Sequence, residues 1–117
     1  MDKEDKNKIE KIIADRMNAH RYYSERSEVY KSFVQMEQVT YASGYLDKKY
    51  KEMIAIGISI RINCESCLEW HIKQALDHGA NKEEIIEAIE VGIEMGGGPA
   101  TVSSRFALSV LEYYTRN

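Results

Sequence analysis

The sequence predicts an all-α protein, a single-domain bundle of about six helices, and three observations carry that expectation. One proline and seven glycines among 117 residues leave little material for a many-turned β fold. Apolar side chains recur at helical spacing along the chain. Capping residues and glycines fall where the ends of those stretches would lie.

Taken in order, residues 3–20 place Ile9, Ile12, Ile13 and Met17 at helical spacing in an otherwise charged stretch. Residues 27–43 continue with Val29, Tyr30, Phe33, Val34, Met36 and Val39, with Ser24 or Ser27 as the cap. Gly44 breaks that pattern, and Asp47 offers an N-cap for a third segment ending near Ile62. This third segment reads two ways. Ile54, Ile56, Ile58 and Ile60 alternate with smaller residues, which by period alone is a strand. The charged lead-in Asp47 to Met53, and small residues that would admit a close helix, favour a helix instead. A fourth helix is expected from near Asn63, as its cap, to Gly79 as the C′ glycine. Asn81 with Glu84 forms a capping box for a fifth, whose apolar side carries Ile85, Ile86, Ile89, Val91 and Ile93. Gly96, Gly97 and Gly98 end it, and Pro99 suits the first turn of a sixth helix carrying Val102, Phe106, Leu108, Val110 and Leu111. There is no repeat or linker that would divide the chain. Residues 1–117 are read as one domain, a charged helical arm over 1–45 and a core over 46–115.

Composition narrows the function classes. A formal charge of -3, with 44% hydrophobic and 30% charged residues, is ordinary for a globular protein. It lacks the concentrated basic face of a nucleic-acid or anionic-membrane binder. No segment reaches the roughly 18 to 20 continuous apolar residues of a membrane span. The charged start, Met1 to Lys11, has no apolar stretch behind it and does not read as a signal peptide. The cytoplasm is the expected compartment. There, two cysteines three residues apart point to redox chemistry or metal binding rather than to structural stapling.

Cys64, Cys67 and His71 stand at i, i+3 and i+7, which places them on one face of a helix. In the first turn, free backbone N–H groups and the positive end of the helix dipole favour an anion such as a thiolate. Thiol pKa values near 8.5 fall to as low as ~3.5 in such settings. His71, four residues beyond Cys67, is placed to accept the thiol proton. Glu52, one helix back, could come over the cluster, hold the imidazole's tautomer and raise its basicity. Carboxylate, imidazole and thiol in that order follow the general logic of an activated nucleophile.

Glu52, eleven residues, and then Cys64-Glu65-Ser66-Cys67-Leu68-Glu69-Trp70-His71 resemble the signature of the AhpD-like (alkyl hydroperoxide reductase D) branch of the carboxymuconolactone decarboxylase family. The stretch that follows is also similar: a helix ending at His78-Gly79-Ala80, a helix over 83–89, a glycine-rich turn and a last helix. The resemblance runs from about Leu46 to Leu111. It implies an all-α fold assembled as a homo-oligomer, commonly a trimer or a hexamer. It further implies a peroxidase or disulfide reductase cycle without metal, haem or other cofactor. The substrate would be a hydroperoxide or a disulfide, and the electron donor a dithiol. Carried onto this sequence, Cys67 would be the peroxide-reactive thiol, Cys64 the resolving one, and His71 the proton relay under the influence of Glu52. Proximity to His71 favours Cys67 as the nucleophile, whereas the helix dipole favours Cys64. One departure stands out: peroxidase members of the branch carry a second histidine between the cysteines, where this chain has Ser66. The decarboxylase branch lacks the cysteine pair, which makes lactone chemistry a poor fit.

Blander readings stand beside these. The cysteines could be small buried hydrophobes in a non-enzymatic binding module, or with His71 they could contribute to a zinc site. Glu52 alone would be a solvated carboxylate. His78 suits a helix C-terminus, His20 is expected to be exposed, and Trp70 and the eight tyrosines are expected to pack. The glycine triplet lacks the lysine and the strand of a phosphate loop. Closely spaced isoleucines would leave an apolar face wet in a monomer, which is a physical motive for assembly.

Overall fold

The computed structural model describes residues 1–116. The single-domain expectation extends to Asn117, which lies outside the described residues. Among those described there are six helices and no strand: α1 (Lys3–Ser24), α2 (Glu28–Tyr41), α3 (Lys48–Ile62), α4 (Glu65–Asp77), α5 (Lys82–Gly96) and α6 (Gly98–Thr115). No described helix is long and apolar enough to cross a membrane.

Local chemistry fixes most helix ends. Asp2 caps α1 by accepting from the Asp5 N–H at 2.8 Å, and Ser27, rather than Ser24, caps α2 through the Tyr30 N–H at 3.0 Å. The expected capping box closes α5: Asn81 and Glu84 each accept the other's backbone N–H, at 2.8 and 2.9 Å. Gly79 adopts a φ of 100° just past α4, which is what a C′ glycine permits. Pro99 lies in the first turn of α6. His78 closes α4, with its Nδ1 2.8 Å from the Gln74 carbonyl.

One boundary differs from expectation. Asn63 is not the cap of α4 but the left-handed residue that stops α3, with φ 56° and ψ 50°. Asparagine tolerates that conformation better than most residues. Its side chain instead accepts from the Ser103 hydroxyl at 2.9 Å. The N-cap of α4 is therefore Cys64, whose sulfur accepts the Cys67 N–H at 3.2 Å.

The segment that could be strand or helix is α3, the central element, packed against α4, α5 and α6. Its alternating isoleucines are two stripes at i, i+4. Ile56 and Ile60 are fully buried, while Ile54, Ile58 and Ile62 lie on the outside. Small residues let α5 come close. A Cβ on Gly92 would sit 2.6 Å from the Gly57 carbonyl oxygen and 2.7 Å from the Cβ of Ile60. The core joins Ile56 and Ile60 to Leu68, Ile72, Ile85, Val110 and Leu111.

Surface pairs such as Lys8–Glu65 and Asp5–Ser109 fasten the N-terminal arm, and two buried contacts join them. Ile9 of α1 is fully buried in this core. Glu69 of α4, also fully buried, accepts from Arg16 of α1 and from the Tyr114 hydroxyl of α6. The Arg16 guanidinium lies 4.8 Å from the centre of the Trp70 ring. Burial, and then the Glu69 carboxylate, push the Tyr114 hydroxyl well above its ordinary pKa. By contrast, α2 has no buried residue, and Val29, Phe33, Met36 and Val39 are exposed along it.

Candidate active site

Glu52 lies in the second turn of α3, on the side facing α4, and is 1% exposed. A buried carboxylate is costly without partners, and two side chains supply them. His71 of α4 donates from Nδ1 to Glu52 Oε1 at 2.6 Å, and Lys48, one turn earlier on α3, donates from Nζ to Oε2 at 3.0 Å. Burial pushes the Glu52 carboxyl up, but the hydrogen bonds and charges of His71 and Lys48 outweigh it and hold the group below its usual range. With Nδ1 committed to the carboxylate, the neutral ring presents Nε2 as its acceptor.

Tyr41, the last residue of α2, walls this pair. Its ring centre lies 5.3 Å from that of His71, and Lys48 Nζ lies 5.4 Å from the same ring. Burial, then Glu52, then Glu37 raise the Tyr41 hydroxyl above its ordinary pKa.

Cys64 and Cys67 are joined by a disulfide, with their Cα atoms 5.2 Å apart. Both are half-buried at the head of α4, and His71 lies one turn beyond Cys67 on the same helix. Ser66 between them is exposed. Of the four residues expected from sequence, Cys64, Cys67 and His71 share the first two turns of α4, and Glu52 bonds to His71 across the α3–α4 packing. Lys48 and Tyr41 were not anticipated. Lys48 had a readable signal, since a lysine and a glutamate at i, i+4 pair on a helix. Nothing local marks Tyr41. Among the described residues, no three His, Cys, Asp or Glu side chains converge to hold a metal ion.

A dithiol/disulfide pair at a helix N-terminus, followed by a carboxylate-held imidazole in an all-helical bundle, defines a class of small cysteine-bearing helical proteins. The carboxymuconolactone decarboxylase family profile matches residues 27–109, and the chain belongs to that family. It is 40% identical over 81 residues to a Paracoccus denitrificans protein, "Uncharacterized protein 4 in cox locus", covering 69% of this chain and 73% of that one. Among solved structures, a carboxymuconolactone decarboxylase family protein from Legionella pneumophila superposes with a TM-score of 0.86 at 28% identity. That match covers 94% of this chain and 99% of the other. A Thermotoga maritima member, for which a part in the antioxidative response has been suggested, superposes with a TM-score of 0.82, also at 28% identity, over 89% of each chain.

Proposed function

We propose that this protein is a thiol-dependent peroxidase, a disulfide oxidoreductase whose Cys64–Cys67 pair alternates between dithiol and disulfide. The observation that carries the reading is a disulfide at the head of α4, one turn ahead of an imidazole fixed by a buried carboxylate. The antioxidative role suggested for the Thermotoga relative points the same way.

In the reduced protein, His71 Nε2 takes the proton of the Cys67 thiol, and the thiolate attacks the distal oxygen of a hydroperoxide. The O–O bond breaks, and the leaving alkoxide departs as the alcohol with the proton that His71 held. Cys67 is then a sulfenic acid. Cys64 attacks its sulfur, the S–S bond forms, and the hydroxyl leaves as water with the proton of Cys64. Two electrons have passed from the dithiol to the peroxide. An external dithiol restores the pair by exchange and becomes a disulfide itself. Because Cys64 accepts the Cys67 N–H, its thiolate is stabilised when exchange opens the bond. With Ser66 between the cysteines, the proton relay consists of His71 and Glu52 alone.

This reading places the protein in the cytoplasm, where thiol reductants recycle the pair, and assembles it as a homo-oligomer through its exposed apolar faces. Stopped-flow mixing of reduced protein with hydrogen peroxide or an alkyl hydroperoxide tests the chemistry. Wild type should consume one equivalent and form the disulfide. Cys67→Ser should consume none, and Cys64→Ser should halt at the sulfenic acid. Equal rates in wild type and both variants would sink the proposal and leave the cysteines inert.

A further inference from the structure

Lys48 breaks two local rules. It is the first residue of α3, where the free N–H groups and the positive end of the helix dipole disfavour a cation. Its pairing with Glu52 runs lysine first at i, i+4, which is the weaker order on a helix. A side chain placed against the preference of its own helix is explained by something outside that helix. The redox site supplies the explanation. Lys48 Nζ reaches Glu52 Oε2 at 3.0 Å while His71 Nδ1 takes Oε1 at 2.6 Å.

Glu52 is buried, and the two side chains that answer it are only partly open, Lys48 at 25% and His71 at 12%. Uncompensated charge is costly in such a place. With His71 as its only partner, the carboxylate would draw a proton onto the imidazole to balance itself. The ring would then be occupied before the thiol ionises, and it could not accept the proton of Cys67. Lys48 puts a fixed charge on the other oxygen, so ammonium and carboxylate already cancel. Protonating His71 at rest would leave the trio with a net positive charge, which is balanced only once Cys67 has become a thiolate. The proton can thus pass from Cys67 Sγ to His71 Nε2 with the total charge of the site held at zero.

The surrounding groups leave that balance intact. From α2, Tyr41 lies against both Lys48 and His71, with Glu37 beside it. On the α3 side, Asp47 is exposed and Lys51 is tied to the Thr40 and Ala42 carbonyls. On α4, Glu65 is answered by Lys8, and Glu69, on the opposite flank from His71, by Arg16. No charge from α5 or α6 acts on Glu52; Glu84 of α5 is paired with Lys49.

We propose that Lys48 is a positioning residue of the redox site: it fixes the Glu52 carboxylate and cancels its charge, so that His71 stays unprotonated until Cys67 gives up its proton. The inference rests on the thiol chemistry proposed above but needs no peroxide, because it concerns how the Cys67 thiolate forms.

The pH dependence of Cys67 alkylation by iodoacetamide in the reduced full chain tests it, with mass spectrometry separating Cys67 from Cys64. Removing a positive charge makes every neighbouring proton harder to lose. In Lys48→Met the rise of the alkylation rate should therefore move to higher pH, by about 0.5 or more. Lys48→Arg, which keeps the charge, should hold the wild-type midpoint. Lys48→Gln, which can still donate to Oε2 but is neutral, should shift like Lys48→Met and keeps the test open should that variant fold poorly. A lysine that only steadies the helix would change rates or stability and leave the midpoint in place. An unmoved midpoint in the neutral variants at unchanged helical circular dichroism, or a Lys48→Arg midpoint displaced as far as theirs, would overturn the proposal. Absence of hydrogen peroxide consumption with the alkylation shift intact would end the peroxidase reading and leave this one standing.

Discussion

Lys48 and His71 hold the two oxygens of one buried carboxylate, and that sharing makes the behaviour of Glu52 testable. A carboxyl whose folded pKa lies below its unfolded value, about 4.3, stabilises the fold fully above that value. The contribution is lost as the pH falls through the folded pKa. Lys48 supplies part of the lowering. In Lys48→Met, Glu52 should therefore titrate at a higher pH than in wild type, and acid unfolding should begin at a higher pH. Carboxyl ¹³C NMR reads the first effect and circular dichroism the second; an unchanged Glu52 titration would show that Lys48 does not engage the carboxylate in solution. On the catalytic side, His71→Ala should slow peroxide consumption about 10²-fold or more, as loss of a positioned base does. Glu52→Gln, which keeps the shape but not the charge, should slow it less. Transient kinetics on the reduced variants gives both numbers, and a wild-type rate in His71→Ala would remove the base from the mechanism.

At the scale of elements, α1 is docked by Ile9 in the core, by surface pairs such as Lys8–Glu65 and Asp5–Ser109, and by one buried ionic cluster. Arg16, Glu69 and Tyr114 tie α1, α4 and α6 at one buried carboxylate. Arg16→Met leaves that carboxylate with a phenol alone, and breaking a buried charge pair from one side costs about 3 kcal/mol or more. Tyr114→Phe removes a single hydrogen bond and should cost about 1 kcal/mol. Urea unfolding should rank the two in that order, and the reverse order would mean that Arg16 is solvated rather than anchored. Sequence reasoning had no means to find this cluster, because Arg16 and Tyr114 stand 53 and 45 residues from Glu69. What could be read was local. The capping box at Asn81 and Glu84, the break at Gly79 and the register of Cys64, Cys67 and His71 all lie within about two turns of chain. Asn63 misled for a related reason. A polar residue just before a helix resembles a cap, and only the backbone reveals the left-handed turn that passes the capping role to Cys64. The isoleucines of α3 looked like a strand because a helix packed on one flank and apolar on the other interleaves two i, i+4 stripes.

For the whole molecule, the apolar surface left outside the core gives the proposed assembly a consequence for stability. The outer stripe of α3, the facing stripe of α5 and the Val29, Phe33, Met36 and Val39 side chains of α2 are apolar and exposed in one chain. If copies cover this surface, as the proposed assembly requires, folding and association are linked, and the folded state gains free energy by mass action. Raising the protein concentration from about 1 µM to about 100 µM changes the association term of a dimer by about 2.7 kcal/mol, or ~1.4 kcal/mol per chain. For a domain of this size that corresponds to a Tm rise of roughly 5 °C. Calorimetry at the two concentrations should show the rise in wild type and not in Ile58→Glu, whose folded state lacks the partner. Hydrogen exchange separates this from a general effect of concentration. The amides of α2, which no tertiary contact buries within the chain, should exchange faster than those of α3 to α6 in the dilute protein, since a fourteen-residue helix is marginal alone. The amides on the outer faces of α3 and α5 should gain protection as the concentration rises. A concentration-independent Tm, with those amides equally protected throughout, would mean that a single chain tolerates this wet apolar surface.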